Sequence, residues 1–365
     1  MLAKRVRDYQ RSCPAITASL ASGASGRKRE QNVDKIRAAA AATALMVLVA
    51  VPACAGTGHP AGVSSSQLTP AQARKAFDRF LREFKQLQAN RIGTSGGQLL
   101  TGPERAAQAF MHGPVGPSLT QLTGQRVYVP RISGYPRWFV AVGQASGRVA
   151  RFVFLLVQSS RRTGWQEATE LYDLGLPGGF PDVSKITVDA GGYAAAVSAG
   201  DRSLAVPPGA VAAGFSRYYD VAASHAGRTP ATAAYSSNFL PQALAGERAA
   251  PHYGWRMSDS LAPDNQPVYA LRLSDGGAAV IFVTRETFGW QAVSAAAANR
   301  RAPQSAINIG AAPDPFIMQR LHARPVRTGE RLTYTILDEH LAMDPAGSGT
   351  VRDFMEGKVI AVARS

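Results

Sequence analysis

Cysteine is nearly absent: the 365 residues contain two, Cys13 and Cys54. Cys13 falls in a basic leader, so a body that follows Cys54 holds no internal disulfide, catalytic thiol or cysteine-based zinc site. Histidine is scarce and isolated. His112, His252 and His322 show no H-E-x-x-H pattern, and no Walker loop or dinucleotide fingerprint opens a helix. Acidic side chains are outnumbered, 25 against 40 Lys/Arg. The arginines are scattered rather than clustered, which argues against nucleic acid as a partner. No apolar run reaches the roughly 20 residues of a membrane-spanning helix. Gly 35 and Pro 23 make a turn-rich chain, but one well short of low complexity, and 45% hydrophobic residues suffice for a packed core.

What is present starts with an address. Met1 to Arg37 carries nine Lys/Arg and three Asp/Glu, followed by the uncharged 16-residue run AAAAATALMVLVAVPA, Ala38 to Ala53. A basic segment, an apolar run and small residues before a cut site make a secretory signal, expected over 1–53. The compact basic start VDKIR places the expected translation start at Val33, read as Met. Val51-Pro52-Ala53-Cys54 resembles the lipobox of bacterial lipoproteins. That resemblance implies that the Cys54 thiol carries a diacylglyceryl group and that the chain sits on the extracytoplasmic face of the cell membrane. Two acyl chains suffice for stable anchoring. Removing 1–53 leaves 31 Lys/Arg and 22 Asp/Glu. A basic body tethered to a membrane lies near anionic lipid or wall polymers.

The body begins with a Gly/Ser/Pro-rich tether, 54–68. Thr69-Pro70-Ala71-Gln72 then reads as a capping box with Pro at the first helical position. Phe77, Phe80, Leu81, Phe84 and Leu87 form one apolar helical face running to about Gln88. Thr101-Gly102-Pro103-Glu104 repeats the cap signal before a short helix. Strands are expected at 127–129, 138–142, 151–158 and 165–171, with a further hairpin across 189–192. A second amphipathic helix opens after Pro207-Pro208. Strands return at 268–273, 278–284, 332–337 and 358–363.

The halves echo each other. YPRWFVAV, a Gly-bearing turn, RFVFLLVQ and GWQ recur in order as QPVYALRL, a Gly-bearing turn, AVIFVTRE and GWQ. This suggests a degenerate duplication, with α+β repeats over 69–200 and 201–365. LTPAQARKAFDRF after a lipobox, YPRWFVAV, DVSKITVDAGGYA, LAVPPGAVAAGF and VYALRLSDGGAAVIF together resemble a family of actinobacterial lipoproteins whose domain has no known function. The helix-then-curved-sheet order is similar to the NTF2-like, cystatin-like cone. The resemblance implies two such repeats, each a curved antiparallel sheet packed on an amphipathic helix. It supplies no catalytic residues and no cofactor.

Aromatics and cations give the candidate ligand pocket: Trp138, Trp165, Tyr269 and Trp290, with Arg137 and Arg272 to hold an anionic group. Gly93-Thr94-Ser95-Gly96-Gly97 fits G-x-S-x-G, but a helix rather than a strand precedes it, so it reads as an inter-helix loop. Asp338-Glu339-His340 gathers three ionisable groups. In a strand Asp338 and His340 share a face, yet no third ligand is visible, so the tripeptide reads as a surface strand end with no metal. The expectation is a non-catalytic binding or scaffolding module of the envelope, its partner an anionic lipid, a wall polymer or an envelope protein. The alternative is a hydrolase or isomerase with a pocket inside the cone.

Overall fold

The computed structural model describes residues 67–90, 98–111, 122–145, 151–172, 180–224, 234–237, 240–294, 327–355 and 361–364. The leader, Val33, Cys54, most of the tether and the 93–97 loop lie outside the described residues. Helix α1 (Pro70–Asn90) starts where the capping box places it. The Gln72 N–H donates to Thr69 Oγ1 at 3.2 Å, and the Thr69 N–H donates to Gln72 Oε1 at 2.8 Å. Its stripe of Ala73, Phe77, Phe80, Phe84 and Leu87 is buried against Phe139, Phe152 and Phe154. Helix α2 (Gly102–Met111) follows.

The first sheet holds β1 (Leu122–Pro130), β2 (Arg137–Ala145), β3 (Arg151–Gln158), β4 (Gln166–Tyr172) and the short β5 (Tyr193–Ala194). Their order is β4-β3-β2-β1-β5, antiparallel except for the β1–β5 pair. The near-unbroken apolar run of β3 signals a strand covered on both sides. Phe152, Phe154 and Leu156 face α1, while Val153, Leu155 and Val157 face the second half of the chain.

The second half opens with α3 (Pro208–Ser224), then β6 (Tyr235–Ser237), α4 (Leu240–Ala249), β7 (Trp255–Pro263), β8 (Tyr269–Arg272), β9 (Ala278–Ala292), β10 (Arg331–Asp344), β11 (Val351–Met355) and β12 (Ala361–Arg364). The sheet runs β6-β11-β10-β9-β7, with β8 also on β9 and β12 also on β10. Its spine is a long antiparallel ribbon, paired from Arg331↔Gln291 to Asp344↔Ala278. Val211, Phe215 and Tyr219 of α3 pack on Val280, Phe282 and Ala342. Residues 66–365 form one compact unit. The two sheets meet through Trp138, Val140, Leu155 and Leu171 against Leu271, Ala279, Ile281 and Leu341. Bridges Ile186↔Leu273 and Ala196↔Leu271 lay the segment before α3 along β8.

The architecture is mixed α+β, and each half places a helix before a mainly antiparallel sheet, with one parallel pair in each, β1–β5 and β6–β11. Of the recurring landmarks, the two apolar strand runs occupy matching places. The third does not: Gly164-Trp165 precedes β4, whereas Gly289-Trp290-Gln291 lies inside β9. The strands expected at 278–284 and 332–337 are each about twice as long in the structure.

Candidate functional site

The six expected pocket residues do not converge. Trp138 and Tyr269 meet edge to face at 5.1 Å. The gap they line with Val140, Val153, Ile281 and Leu341 is about 10 Å³ and almost wholly apolar. That is the limit for a single water, and the lining offers it no partners. The physical reason is the sheet-on-sheet contact: the face read as a pocket wall is where the two halves bury each other. Arg137 lies over the Tyr135 ring at 4.6 Å. Arg272 is a clamp, ion-paired with Asp201 and donating to Gly276 O at 2.9 Å and Ser203 Oγ at 3.2 Å. Trp290 is buried edge-on to Trp255, with its Nε1–H on Tyr334 Oη at 3.2 Å.

Trp165 alone of the six lines an open space. It flanks a groove of about 880 Å³ between α1 and the β3–β4 turn, with Arg79, Phe80, Glu83, Gln158 and Arg162. The Trp165 ring is braced edge-on by Phe139 at 4.8 Å. The turn is held by its own hydroxyls: Ser160 N–H donates to Thr163 Oγ1 at 2.9 Å, and Gln158 Nε2 donates to Thr163 O at 2.8 Å. Arg79 pairs with Glu83 at 2.7 Å. Arg162 has no carboxylate partner among the described residues and stands exposed at the rim. A fixed aromatic face, an unpaired guanidinium and an amide oxygen suit a polar, anionic ligand rather than an apolar one.

The ionisable groups are elsewhere, and they are sealed. Asp338, Glu339 and His340 form the middle of β10, buried at 1%, 0% and 0% exposure rather than at a surface strand end. Strand alternation sends Asp338 and His340 toward α3 and Glu339 toward the first half. On the α3 side His340 Nε2 lies 2.7 Å from Thr284 Oγ1, and its Nδ1 lies 3.0 Å from Asp353 Oδ1. Ser237 Oγ donates to the other Asp353 oxygen at 3.1 Å. The imidazole stacks on Phe282 at 4.6 Å. This hydroxyl–imidazole–carboxylate relay has the contacts of a nucleophile and its base, but Thr284 has no exposed surface through which an acyl group could reach it.

Beside the relay sits a carboxyl row. The Tyr219 hydroxyl hydrogen-bonds Asp259 and lies 3.3 Å from Glu286 Oε1. Burial pushes the Asp259 and Glu286 carboxyls above their ordinary range. It pushes Asp338 up to about 7, with His340 opposing the shift. On the opposite side of β10 the Glu170 N–H donates to both Glu104 Oε1 at 3.1 Å and Glu339 Oε2 at 3.0 Å. Carboxylate oxygens of Glu104, Glu167 and Glu170 lie within 4.8 Å of one another. Oxygen donors at that spacing are those a hard divalent cation takes.

The comparisons with known proteins give a family and no chemistry. The family described as "Domain of unknown function (DUF8094)" matches residues 65–363. The chain belongs to this family. It is 28% identical over 272 residues to an uncharacterized lipoprotein of Streptomyces coelicolor, covering 71% of this chain and 79% of that one. An uncharacterized lipoprotein of Streptomyces avermitilis is 27% identical over 240 residues, covering 66% and 65%. No solved structure matches. Among the described residues of this DUF8094 chain no helix is long and apolar enough to cross a membrane.

Sequence reasoning paired Asp338 with His340 on one face but missed Glu104, Glu167, Glu170, Asp259 and Glu286. They come from four separate elements, and only Glu167 and Glu170, three residues apart in β4, are close in the chain. The signal that could have found them is a carboxylate on the covered face of a strand, which demands partners.

Proposed function

We propose that this DUF8094 chain is a lipid-anchored binding protein of the cell envelope, held on the extracytoplasmic face through Cys54. The lipobox at Val51–Cys54 supports the anchor, and both curated relatives are called lipoproteins. Its halves, 69–200 and 201–365, are degenerate NTF2-like repeats, a reading supported by the recurring helix-then-sheet order. The ligand site is the groove beside Trp165, and its ligand class is an anionic saccharide-containing wall polymer. The observation that carries this reading is the groove itself: an aromatic face and an unpaired Arg162 are open to solvent, while the ionisable groups suited to catalysis are sealed.

The test is co-sedimentation of the detergent-solubilised full chain with purified wall material. Binding is expected, and Trp165→Ala and Arg162→Ala are each expected to weaken it about tenfold, Arg162→Ala without moving Tm and Trp165→Ala with a lower Tm from its lost contact with Phe139, since stacking and one charge contact contribute roughly 1–3 kcal/mol. Unaltered binding in both variants refutes the groove. Intact mass of the membrane-extracted chain tests the anchor, which requires the added diacylglyceryl mass and its loss in Cys54→Ser.

One observation favours the hydrolase reading, the Thr284–His340–Asp353 relay. Covalent capture of Thr284 by an organophosphonate probe in the folded chain decides for it; an unlabelled chain decides for binding.

A further inference from the structure

The β9–β10 ribbon outgrows the core it belongs to. On one side of β9, Ala279, Ile281 and Val283 are buried against the first half or α2. The same side then changes character at Arg285 and continues as Thr287, Gly289 and Gln291. Opposite these, β10 offers Arg331, Thr333 and Thr335, and β7 offers Arg256, Ser258 and Ser260. The result is a three-stranded sheet face about 20 Å long, at roughly 3.3 Å per residue. From Thr287 to Gln291 it carries hydroxyls, an amide and guanidiniums and no apolar side chain, while Ala262 and Leu337 flank Arg285 at its inner end.

Its charge is of one sign. Among the described residues one carboxylate pairs on this face, Asp264 with Arg285 at 2.6 Å. Arg256 reaches only Gln291 Oε1 at 3.4 Å, and Arg331 only Ser258 Oγ at 2.8 Å. Gly289 sets the posture of Arg331. A Cβ there would lie 2.5 Å from both the guanidinium and Ser258 Oγ, so the missing side chain lets Arg331 lie flat across the strands. Val293, 47% exposed, follows directly at the end of β9.

We infer that this face docks on the anionic lipid headgroups of the leaflet in which the chain is anchored. The inference rests on the lipid-anchored reading above. Charge complementarity carries it, because among the described residues Arg256 and Arg331 have no carboxylate partner and phosphodiesters are natural acceptors for a guanidinium. Each arginine at an anionic surface is worth about 1 kcal/mol, or about five-fold in the docked-to-free ratio.

The experiment uses the full chain with Cys13→Ser and a fluorophore on Ser260→Cys, reconstituted in vesicles bearing a headgroup-attached quencher. Flotation with neutral phosphatidylcholine vesicles reads the anchor, independently of charge. Quenching is expected when phosphatidylglycerol is added, to fade with salt, and to fall about 25-fold in docked-to-free ratio in Arg256→Gln/Arg331→Gln. Flotation without phosphatidylglycerol-dependent quenching overturns the docking face and leaves the anchor standing. Loss of flotation overturns the anchor and the docking with it. Shielding of the label by a soluble wall phosphopolymer, with none from phosphatidylglycerol, assigns the face to the polymer and also overturns the inference.

Discussion

Asp338 is the group whose protonation the fold most plainly constrains, and Asp338→Asn measures it. Burial outweighs His340 and the Glu286 carboxyl, the two neighbours that favour its charged form. Burial raises its pKa from 3.8 to about 7. The folded state therefore holds a proton that the unfolded state releases across this window. Stability from this group is complete below pH 3.8 and is lost as pH rises through about 7. At about 1.4 kcal/mol per pKa unit the full loss is about 4 kcal/mol, of which about 3 kcal/mol falls between pH 5 and pH 8. Asn copies the protonated carboxyl in shape and has nothing to ionise. Urea unfolding of the parent is expected to show stability falling by at least that amount from pH 5 to pH 8, since Glu286, Asp259 and Asp344 shift in the same direction. Asp338→Asn is expected to match the parent only below about pH 3.8, exceed it by about 1–2 kcal/mol at pH 5 and by about 4 kcal/mol at pH 8, and so flatten the slope between them by about 3 kcal/mol. A variant with an unchanged slope refutes the reasoning.

Four further perturbations follow from particular contacts. Gly214→Ala reverses the usual helix preference: a Cβ there would lie 1.9 Å from the Tyr235 hydroxyl, so a loss of about 1–3 kcal/mol is expected in urea unfolding, where propensity alone predicts a gain. His340→Phe keeps the stack on Phe282 but strands Asp353, at a cost of about 3–5 kcal/mol at neutral pH; adding Asp353→Leu should restore part of it, and strict additivity of the two changes would contradict the pairing. Glu104 and Glu339 both accept the Glu170 N–H, so Leu at either leaves that donor served. Leu at both is expected to cost about 1–3 kcal/mol more than the two single changes together, read as the interaction energy of a double-mutant cycle. Thr69→Ala opens the capping box and should lower stability by about 1 kcal/mol, with Thr69→Ser recovering it.

Legibility followed the range of the interaction. The capping box at Thr69 and the phenylalanine stripe of α1 were readable because both are local patterns with a fixed period, and β3 was readable at its observed bounds because covered strands are apolar throughout. The long ends of β9 and β10 were not, because Arg285 to Gln291 alternates polar side chains with Glu286 and Phe288, and β10 continues past Leu337 through the ionisable Asp338-Glu339-His340. Helix α4 and strand β7 escaped for a similar reason, as β7 buries only Trp255 and Leu261 outright. The pocket failed differently. Trp138 and Tyr269 were rightly placed together, but composition does not say whether an aromatic sheet face closes on a ligand or on the other half of the same chain.

The tripeptide Asp338-Glu339-His340 shows why the centre of this fold is polar at all. Three consecutive residues of one buried strand alternate between two cores. Asp338 and His340 join the α3 side, where they meet groups from α3, β7, β9 and β11. Glu339 joins the other side, where its oxygen and that of Glu104 converge on the Glu170 N–H. The apolar contact at Trp138 and Tyr269 gives the halves area but little direction, since apolar burial is non-directional. The Glu339–Glu170 bond gives direction, tying the β4 main chain to one residue of β10. A slip of the β9–β10 register by one residue would exchange the two sets and leave carboxyls of both without their partners. Buried polar groups in the middle of β10 thus act against every register but one, and a ribbon pinned in this way can extend its far end beyond the core without losing its alignment.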